Sequence, residues 1–381
     1  MKLCNLNKCT GCCACMNSCA RHAIEMRPTQ LGSIVPVINE DLCIECGKCQ
    51  RVCPVLSPNS MPNHVKTCYA AWTANLKLLE NAATAGVVTT LGYSVIRSGG
   101  VVFGSKFEDQ RLVFSSASTL DQLLEFQGSR YVHSYVGDAY QQVERYLKSG
   151  KKVLFTGTPC QVHALRQYLN KEYDNLLTID LVCHGVAPMN YLNEYLSDLG
   201  IVREYDNIVF RGKRGMSLVV SHKDQVVYSK YKLQELFYTV YLKGLISREN
   251  CYQCPYASLE RYGDITVGDF WGLKKTSDIP DYPFISVLFA NTPKGQEFLA
   301  ECKDDVKVVE QSVESAIAKN GQLSHPCVRH NDRDAFLSSY PQIGFVRSIK
   351  KTSLYKTYLK TSFKYRMLLF ASELKRRLYD K

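Results

Sequence analysis

Cys9-Thr10-Gly11-Cys12-Cys13-Ala14-Cys15-Met16-Asn17-Ser18-Cys19, followed after a spacer by Cys43-Ile44-Glu45-Cys46-Gly47-Lys48-Cys49-Gln50-Arg51-Val52-Cys53-Pro54, carries one C-x2-C-x2-C-x3-C run twice. That spacing lets three thiolates of a tight loop grip one 4Fe-4S cluster while the fourth reaches across to a second. The expected sets are Cys9, Cys12, Cys15 and Cys53 for one cluster, and Cys43, Cys46, Cys49 and Cys19 for the other. Structural zinc is the rival reading, since zinc also takes C-x2-C pairs. Zinc needs two separated pairs per site, whereas each run supplies three close cysteines plus one, which favours iron-sulfur. Cys4 and Cys13 are surplus to both sets.

Over roughly residues 1–60 the chain resembles the bacterial two-cluster ferredoxins, with Ala20 where a proline often follows the fourth cysteine. Such a module on a chain of 381 residues feeds something else, and that length allows two or three domains. Ten of the 17 cysteines fall within the first 53 residues in metal-ligand spacing, unlike a scattered disulfide framework, so a reducing compartment is expected. Without an N-terminal apolar run or a stretch of membrane-spanning length, the expectation is a cytoplasmic protein. The formal charge of +11 is concentrated near the end: 345–381 holds eleven Lys and Arg against Glu373 and Asp380. The body is nearly neutral and lacks a basic stripe interleaved with aromatics, so nucleic-acid binding is not expected.

Ala23–Met26 and Ile34–Ile38 flank a Pro-Thr-Gln-Leu-Gly turn and read as a hairpin. Turn formers and breakers over 57–63 mark a boundary. Beyond it, helical spacing over Ala82–Ile96, Asp138–Leu147 and Gln161–Leu169 alternates with apolar strands at Val101–Gly104, Lys152–Thr156 and Leu177–Val182. That alternation implies a parallel α/β core, with ligands at the C-terminal ends of its strands. Ile208–Tyr228 reads as an antiparallel insertion, Leu233–Leu245 and Gly295–Cys302 as helices, and Ile265–Val267 and Ile285–Phe289 as further strands. The expected architecture is an α+β ferredoxin-like iron-sulfur module (1–60), an α/β flavin-binding core with an antiparallel β insertion (66–345), and a C-terminal helical tail (346–381).

Cys160 and Cys183 fall at strand ends, and Cys251-Tyr252-Gln253-Cys254 is a further C-x2-C pair. Together the four make one more Cys4 set for a 4Fe-4S cluster. Three alternatives stand beside it. Cys160 follows Pro159 at a helix N-terminus, which would lower its pKa and suit a nucleophile. Cys251 and Cys254 suit a redox dithiol or half a zinc site. Cys183 could be a small buried hydrophobe.

Gly128-Ser129-Arg130-Tyr131-Val132, Gly157-Thr158-Pro159-Cys160-Gln161, Cys183-His184-Gly185 and Arg261-Tyr262-Gly263-Asp264-Ile265-Thr266-Val267-Gly268-Asp269-Phe270-Trp271-Gly272 follow one another in an order that resembles the family of beta subunits of coenzyme F-420 hydrogenases and dehydrogenases. The resemblance runs from about Cys68 to Pro326. It implies FAD in an α/β core beside a 4Fe-4S cluster, and so supports the third cysteine set. It also implies cofactor contacts from Gly86, Arg130, Thr158 and Asp264. Arg130 stands where relatives often have lysine, and Ala83-Thr84-Ala85-Gly86 replaces a Ser-Ser-Gly-Gly turn near the flavin. No G-x-G-x-x-G follows a strand, so NAD(P)H has no support. His184 has a pKa suited to passing a proton, or it hydrogen-bonds its own turn. Arg130 suits a flavin phosphate or an acidic substrate, or else it is a surface arginine. Asp264 and Asp269 flank a short strand and suit fixing polar backbone or cofactor groups, and Asp269 reads as structural.

Leu354, Tyr358, Leu359, Phe363, Met367, Phe370, Leu374 and Leu378 recur at helical spacing among lysines and arginines. A basic helix of this kind suits a peripheral contact at the inner face of the membrane, an acidic partner, or docking on its own core. The functional expectation is an iron-sulfur flavoprotein oxidoreductase that passes electrons to an unidentified organic substrate or deazaflavin-like coenzyme. One alternative is an electron-transfer component that exchanges electrons with a donor or acceptor protein in a larger hydrogenase or dehydrogenase complex. The other is a reductive step in surface-polysaccharide biosynthesis.

Overall fold

Val153–Gly157 and Leu176–Leu181 are apolar along almost their whole length, as strands covered on both faces must be. They form the centre of an eight-stranded sheet in a computed structural model of the chain. The structure describes residues 3–58, 60–202, 205–212 and 215–379, with side chains as far as Glu373. Asn59 of the linker and the Leu374 and Leu378 side chains of the tail lie outside the described residues. Across the sheet the strands run Val306–Gln311, Cys68–Thr73, Ser286–Ala290, Ile265–Asp269, Leu176–Leu181, Val153–Gly157, Val101–Glu108 and Arg111–Ala117.

Only the inner four of these are mutually parallel. The flanking pairs are antiparallel, so the sheet is mixed where a parallel core was expected. One cause is the hairpin after Glu108, whose two connecting residues Asp109 and Gln110 both take positive φ. Glycine or asparagine usually flags such a turn, and neither is present here. The strand Val306–Gln311 is hidden for another reason: as an edge strand it is mostly exposed and carries Lys307 and Glu310.

Alternate residues of the central strands point to opposite faces. Val101, Phe103, Val153 and Phe155 pack under the helices Ala139–Lys148 and Pro159–Leu169. Val102, Leu154, Leu177 and Ile179 pack under Val87–Arg97 and Pro293–Glu301. The antiparallel insertion forms as expected, from Asn207–Val209, Ser217–His222 and Gln225–Tyr231.

In the N-terminal module Ile24–Pro28 pairs with Ile34–Ile38 in the expected hairpin. The two cysteine loops share a backbone shape, with positive φ at Gly11 and Cys13 in the first and at Glu45 and Gly47 in the second. Cys13 therefore sits where the second loop uses glycine. Its buried side chain packs in the apolar cluster of Val136 and Ala139 and also borders the small cavity that Cys9, Cys12, Cys15 and Cys53 share. Cys12, Cys13, Ala14 and Val52 belong to the same apolar cluster as Val162 and Leu165, which fastens the module to the helix Pro159–Leu169.

The tail is the helix Ser353–Tyr379. Its first half docks on the protein: Leu354 is buried, Tyr231 stacks on Tyr365, and the Tyr358 hydroxyl donates to the Gln234 carbonyl at 3.4 Å. Leu359, Phe363, Met367 and Phe370 of the expected stripe are exposed, so docking on the protein does not cover them. Among the described residues no helix is long and apolar enough to cross a membrane.

Candidate functional site

Cys9, Cys12, Cys15 and Cys53 ring one small cavity with Met26, Pro36 and Pro54, as the first expected set requires. Cys4 lines it too. Hydrogen bonding with Cys4 holds the Cys9 thiol at about 7 and the Cys53 thiol at about 6, against burial, while Cys4 itself is pushed far up. The Gly11 amide donates to Cys9 Sγ at 3.4 Å and the Ala23 amide to Cys19 Sγ at 3.3 Å, contacts that tune a ligand thiolate. Cys49 is raised by burial and by the neighbouring Cys19 and Cys46, which puts three members of the second set together. Cys46 is exposed, with Leu42 and Ile44 exposed beside it. Among the described residues no three His, Cys, Asp or Glu side chains converge closely enough for a single metal ion.

The sheet opens on a cavity of about 560 Å³. Cys160 reaches it from the first turn of Pro159–Leu169, and Cys183 from beyond Leu176–Leu181. Cys251 and Cys254 reach it from the 3-10 turn Glu249–Gln253 and its end. Burial pushes the Cys183 thiol well up, and Cys251, Cys160 and Cys254 add to the rise, so the four are gathered as expected. Burial also pushes Cys160 up to about 12, overriding the helix N-terminus that was expected to lower it.

Cys327 is a fifth cysteine on this cavity, donating weakly to the Cys251 carbonyl at 3.5 Å. Nothing in its sequence spacing signals it. Gly185, at φ +90°, lets these loops meet: a Cβ there would lie 3.2 Å from Cys251 Cβ and 3.4 Å from Cys327 Sγ.

Arg130, Lys232, Lys319, His133 and His184 line the cavity against one carboxylate, Asp269. Asp269 is already engaged by Arg211 at 2.6 Å and by the Thr84 hydroxyl at 2.5 Å. Arg130 donates to the carbonyls of Glu125, Phe126, Gln127 and Gly128, and its buried Nε has no acceptor among the described residues. Burial lowers His184, which favours its neutral form, while Asp269 opposes the shift.

Gly86 takes φ +73° and ends the turn Ala82, Ala83, Thr84 on the cavity wall, so the helix expected from Ala82 starts at Val87. Thr158 also lines the cavity, with its hydroxyl 3.2 Å from Cys160 Sγ and its amide bonded to Gln161 Oε1 at 3.0 Å.

Asp264 is a correction. It is buried away from the cavity, and its oxygens accept from the Thr178 amide and hydroxyl, Thr292 Oγ1 and Arg166. With both oxygens engaged it fixes the sheet and does not face a cofactor. Arg261 of the same motif is likewise structural. It pairs with Asp180 at 2.6 Å and holds the Tyr256 carbonyl, tying the loop after Cys254 to the sheet.

The inner N-terminal set and this third set are neighbours. Tyr140 packs in the same apolar cluster as Cys12 and donates to the carbonyl of Gln161, next to Cys160, at 2.9 Å, and Thr10 of the first cysteine loop lines the cavity with Cys160.

A two-cluster iron-sulfur module fastened to a cysteine-lined sheet cavity defines the class of protein, and comparison with known families agrees. Residues 8–56 match a 4Fe-4S dicluster domain, as do residues 35–90. Residues 150–316 match the C-terminal domain of the coenzyme F420 hydrogenase/dehydrogenase beta subunit. The chain thus carries an N-terminal two-cluster 4Fe-4S domain, and its residues 150–316 are similar to the beta subunits of coenzyme F420 hydrogenases and dehydrogenases.

An uncharacterised protein of Methanocaldococcus jannaschii is 24% identical over 318 residues, 72% of this chain and 79% of its own. A component of the F(420)H(2) dehydrogenase of Methanosarcina mazei is 23% identical over 331 residues, 79% of this chain and 84% of its own. A chain from a structure of the F420-reducing [NiFe] hydrogenase complex of Methanosarcina barkeri superposes with TM-score 0.47 at 18% identity, covering 68% of this chain and 91% of that one.

Proposed function

We propose that the chain is an iron-sulfur flavoprotein oxidoreductase in which electrons run from the Cys19, Cys43, Cys46 and Cys49 set, whose Cys46 is exposed, through Cys9, Cys12, Cys15 and Cys53, to a third 4Fe-4S set at Cys160, Cys183, Cys251 and Cys254 and into the cavity beyond. The observation that carries it is the contiguity of the inner and third sets through Tyr140 and Arg248, with the third set opening on the cation-lined cavity. The family match supports an oxidoreductase role of this kind.

FAD is the cofactor the cavity suits. Its volume falls within the roughly 300–1,000 Å³ of small-molecule sites. Arg130, Lys232 and Lys319 supply positive charge for an anionic tail, and the unmatched Arg130 Nε supplies a donor. When bound there, a flavin would convert single electrons into a two-electron reduction of an organic substrate or deazaflavin-like coenzyme. His184 would pass a proton taken up from solvent to the reduced flavin or substrate at the cavity wall. Anaerobic purification with iron, sulfide and flavin quantitation tests the proposal. About twelve iron and one FAD per chain support it, and about eight iron with no flavin contradict it, counting four iron per cluster.

A second reading, an electron-transfer component of a larger complex, draws on the relative named as part of a dehydrogenase. Leu42 and Ile44, exposed beside Cys46, would then form the contact with the partner protein. The exposed Phe363, Met367, Leu368 and Phe370 lie among Lys360, Lys364 and Arg366 and suit peripheral contact with an anionic membrane. Equal pelleting with anionic vesicles, with and without residues 360–381, would sink that contact.

A further inference from the structure

Arg248 is 2% exposed and among the largest wholly buried side chains of the molecule. Its Nη2 donates to the carbonyls of Cys9 and Ile34, each at 3.1 Å, while Nε and Nη1 are buried with no acceptor among the described residues. No carboxylate among the described residues pairs with it. A guanidinium does not lose its proton in a protein, and a buried charge without a partner is costly, so this one needs negative charge from elsewhere.

Its position shows where that charge comes from. The Arg248 carbonyl accepts from the Cys251 amide at 2.9 Å, so the residue begins the turn that carries Cys251 and Cys254. Its amide donates to Val186, three residues past Cys183. The far end of the side chain lies in the other module: a Cβ on Gly11 would sit 2.4 Å from Arg248 Nη1. Arg248 is therefore rooted in the third cysteine set and pressed against the loop of the first. His133, packed at the same place, is held well below its ordinary pKa by burial and by Arg248, and so supplies no countercharge.

We propose that Arg248 is a positioning residue shared by two clusters, its fixed positive charge balancing both and holding both reduction potentials up. The inference rests on the cluster assignment of the preceding section. Four thiolates make each 4Fe-4S assembly negative, and cluster potentials depend on net charge and on hydrogen bonds to sulfur. A cation beside two clusters favours the added electron on each, which keeps the internal step between them close to level. The set at Cys19, Cys43, Cys46 and Cys49 lies outside this contact.

The test is an EPR-monitored redox titration of the anaerobically purified full chain, its Arg248→Met variant and its Arg248→Lys variant, with iron counted in each. In Arg248→Met two of three cluster potentials should fall, each by at least about tenfold in the one-electron reduction equilibrium, or about 59 mV, with the third moving less. Arg248→Lys keeps the charge and should shift the same two by less. If Arg248→Met does not hold its iron, Arg248→Gln, which removes the charge and keeps hydrogen-bond donors, decides: a fall confined to two clusters supports the proposal, and unmoved potentials overturn it. Unmoved potentials in a fully loaded Arg248→Met overturn it as well. A parent chain with about eight iron overturns the cluster reading and this proposal together, whereas about twelve iron with unmoved potentials overturns this proposal alone.

Discussion

Single side chains separate ligands from bystanders. Cys327 shares the cavity with Cys160, Cys183, Cys251 and Cys254, and only four thiolates are needed. We expect alanine at any of the four to lower iron from about twelve to about eight per chain, and Cys327→Ser to leave it near twelve. Iron quantitation on the purified variants checks this, and loss of four iron from Cys327→Ser would reassign the set. Asp264 gives the converse case. Its carboxylate is consumed by Thr178, Thr292 and Arg166, so Asp264→Ala leaves buried donors unmatched and Arg166 with Glu172 as its remaining carboxylate partner. Removing one partner of a buried pair costs roughly 3–5 kcal/mol. The expected result is a lower thermal midpoint with the flavin affinity of the folded fraction unchanged.

Individual helices and loops set where those side chains meet. Glu235 is wholly buried at the start of the helix Leu236–Leu242, accepting from the Phe237 amide at 3.2 Å and the Tyr228 hydroxyl at 2.5 Å. Burial raises its carboxyl pKa above 4.5, with the hydrogen bonds pulling the other way. A raised carboxyl binds its proton more tightly in the fold, so its contribution is full below the ordinary value and is lost as pH rises through the raised one. Glu235→Gln should therefore melt higher than the parent at about pH 8, the gap narrowing toward acid. Thermal scans at matched rates across that range measure it, and a gap that widens toward acid would contradict it. Gly185→Ala acts on a loop. Its positive φ and its closeness to Cys251 predict loss of the third set alone, read as about eight iron with the N-terminal sets intact.

At the level of the whole molecule, the legible parts were those whose physics is local. The cysteine loops, the hairpin Ile24–Ile38 and the apolar central strands are written in spacing and hydrophobicity, and all form. The edge strand Val306–Gln311 alternates polar residues, and the turn Asp109-Gln110 lacks glycine, so neither announces itself. The four cysteines of the third set come from segments far apart in sequence, and their grouping was legible because the motif order resembles a known family. Arg248, His133 and Cys327 have no spacing partner, and only the folded chain brings them to the junction.

The central claim is that this junction joins the N-terminal clusters to the cavity. Its most direct test is rapid-mixing reduction of the flavin-loaded chain and its Cys183→Ala variant by a low-potential donor, with cluster and flavin absorbance followed separately. The account predicts that in Cys183→Ala the N-terminal clusters reduce as before while flavin reduction slows by at least two orders of magnitude, about the scale lost when a required step is removed. Flavin reduced at the parent rate would contradict it.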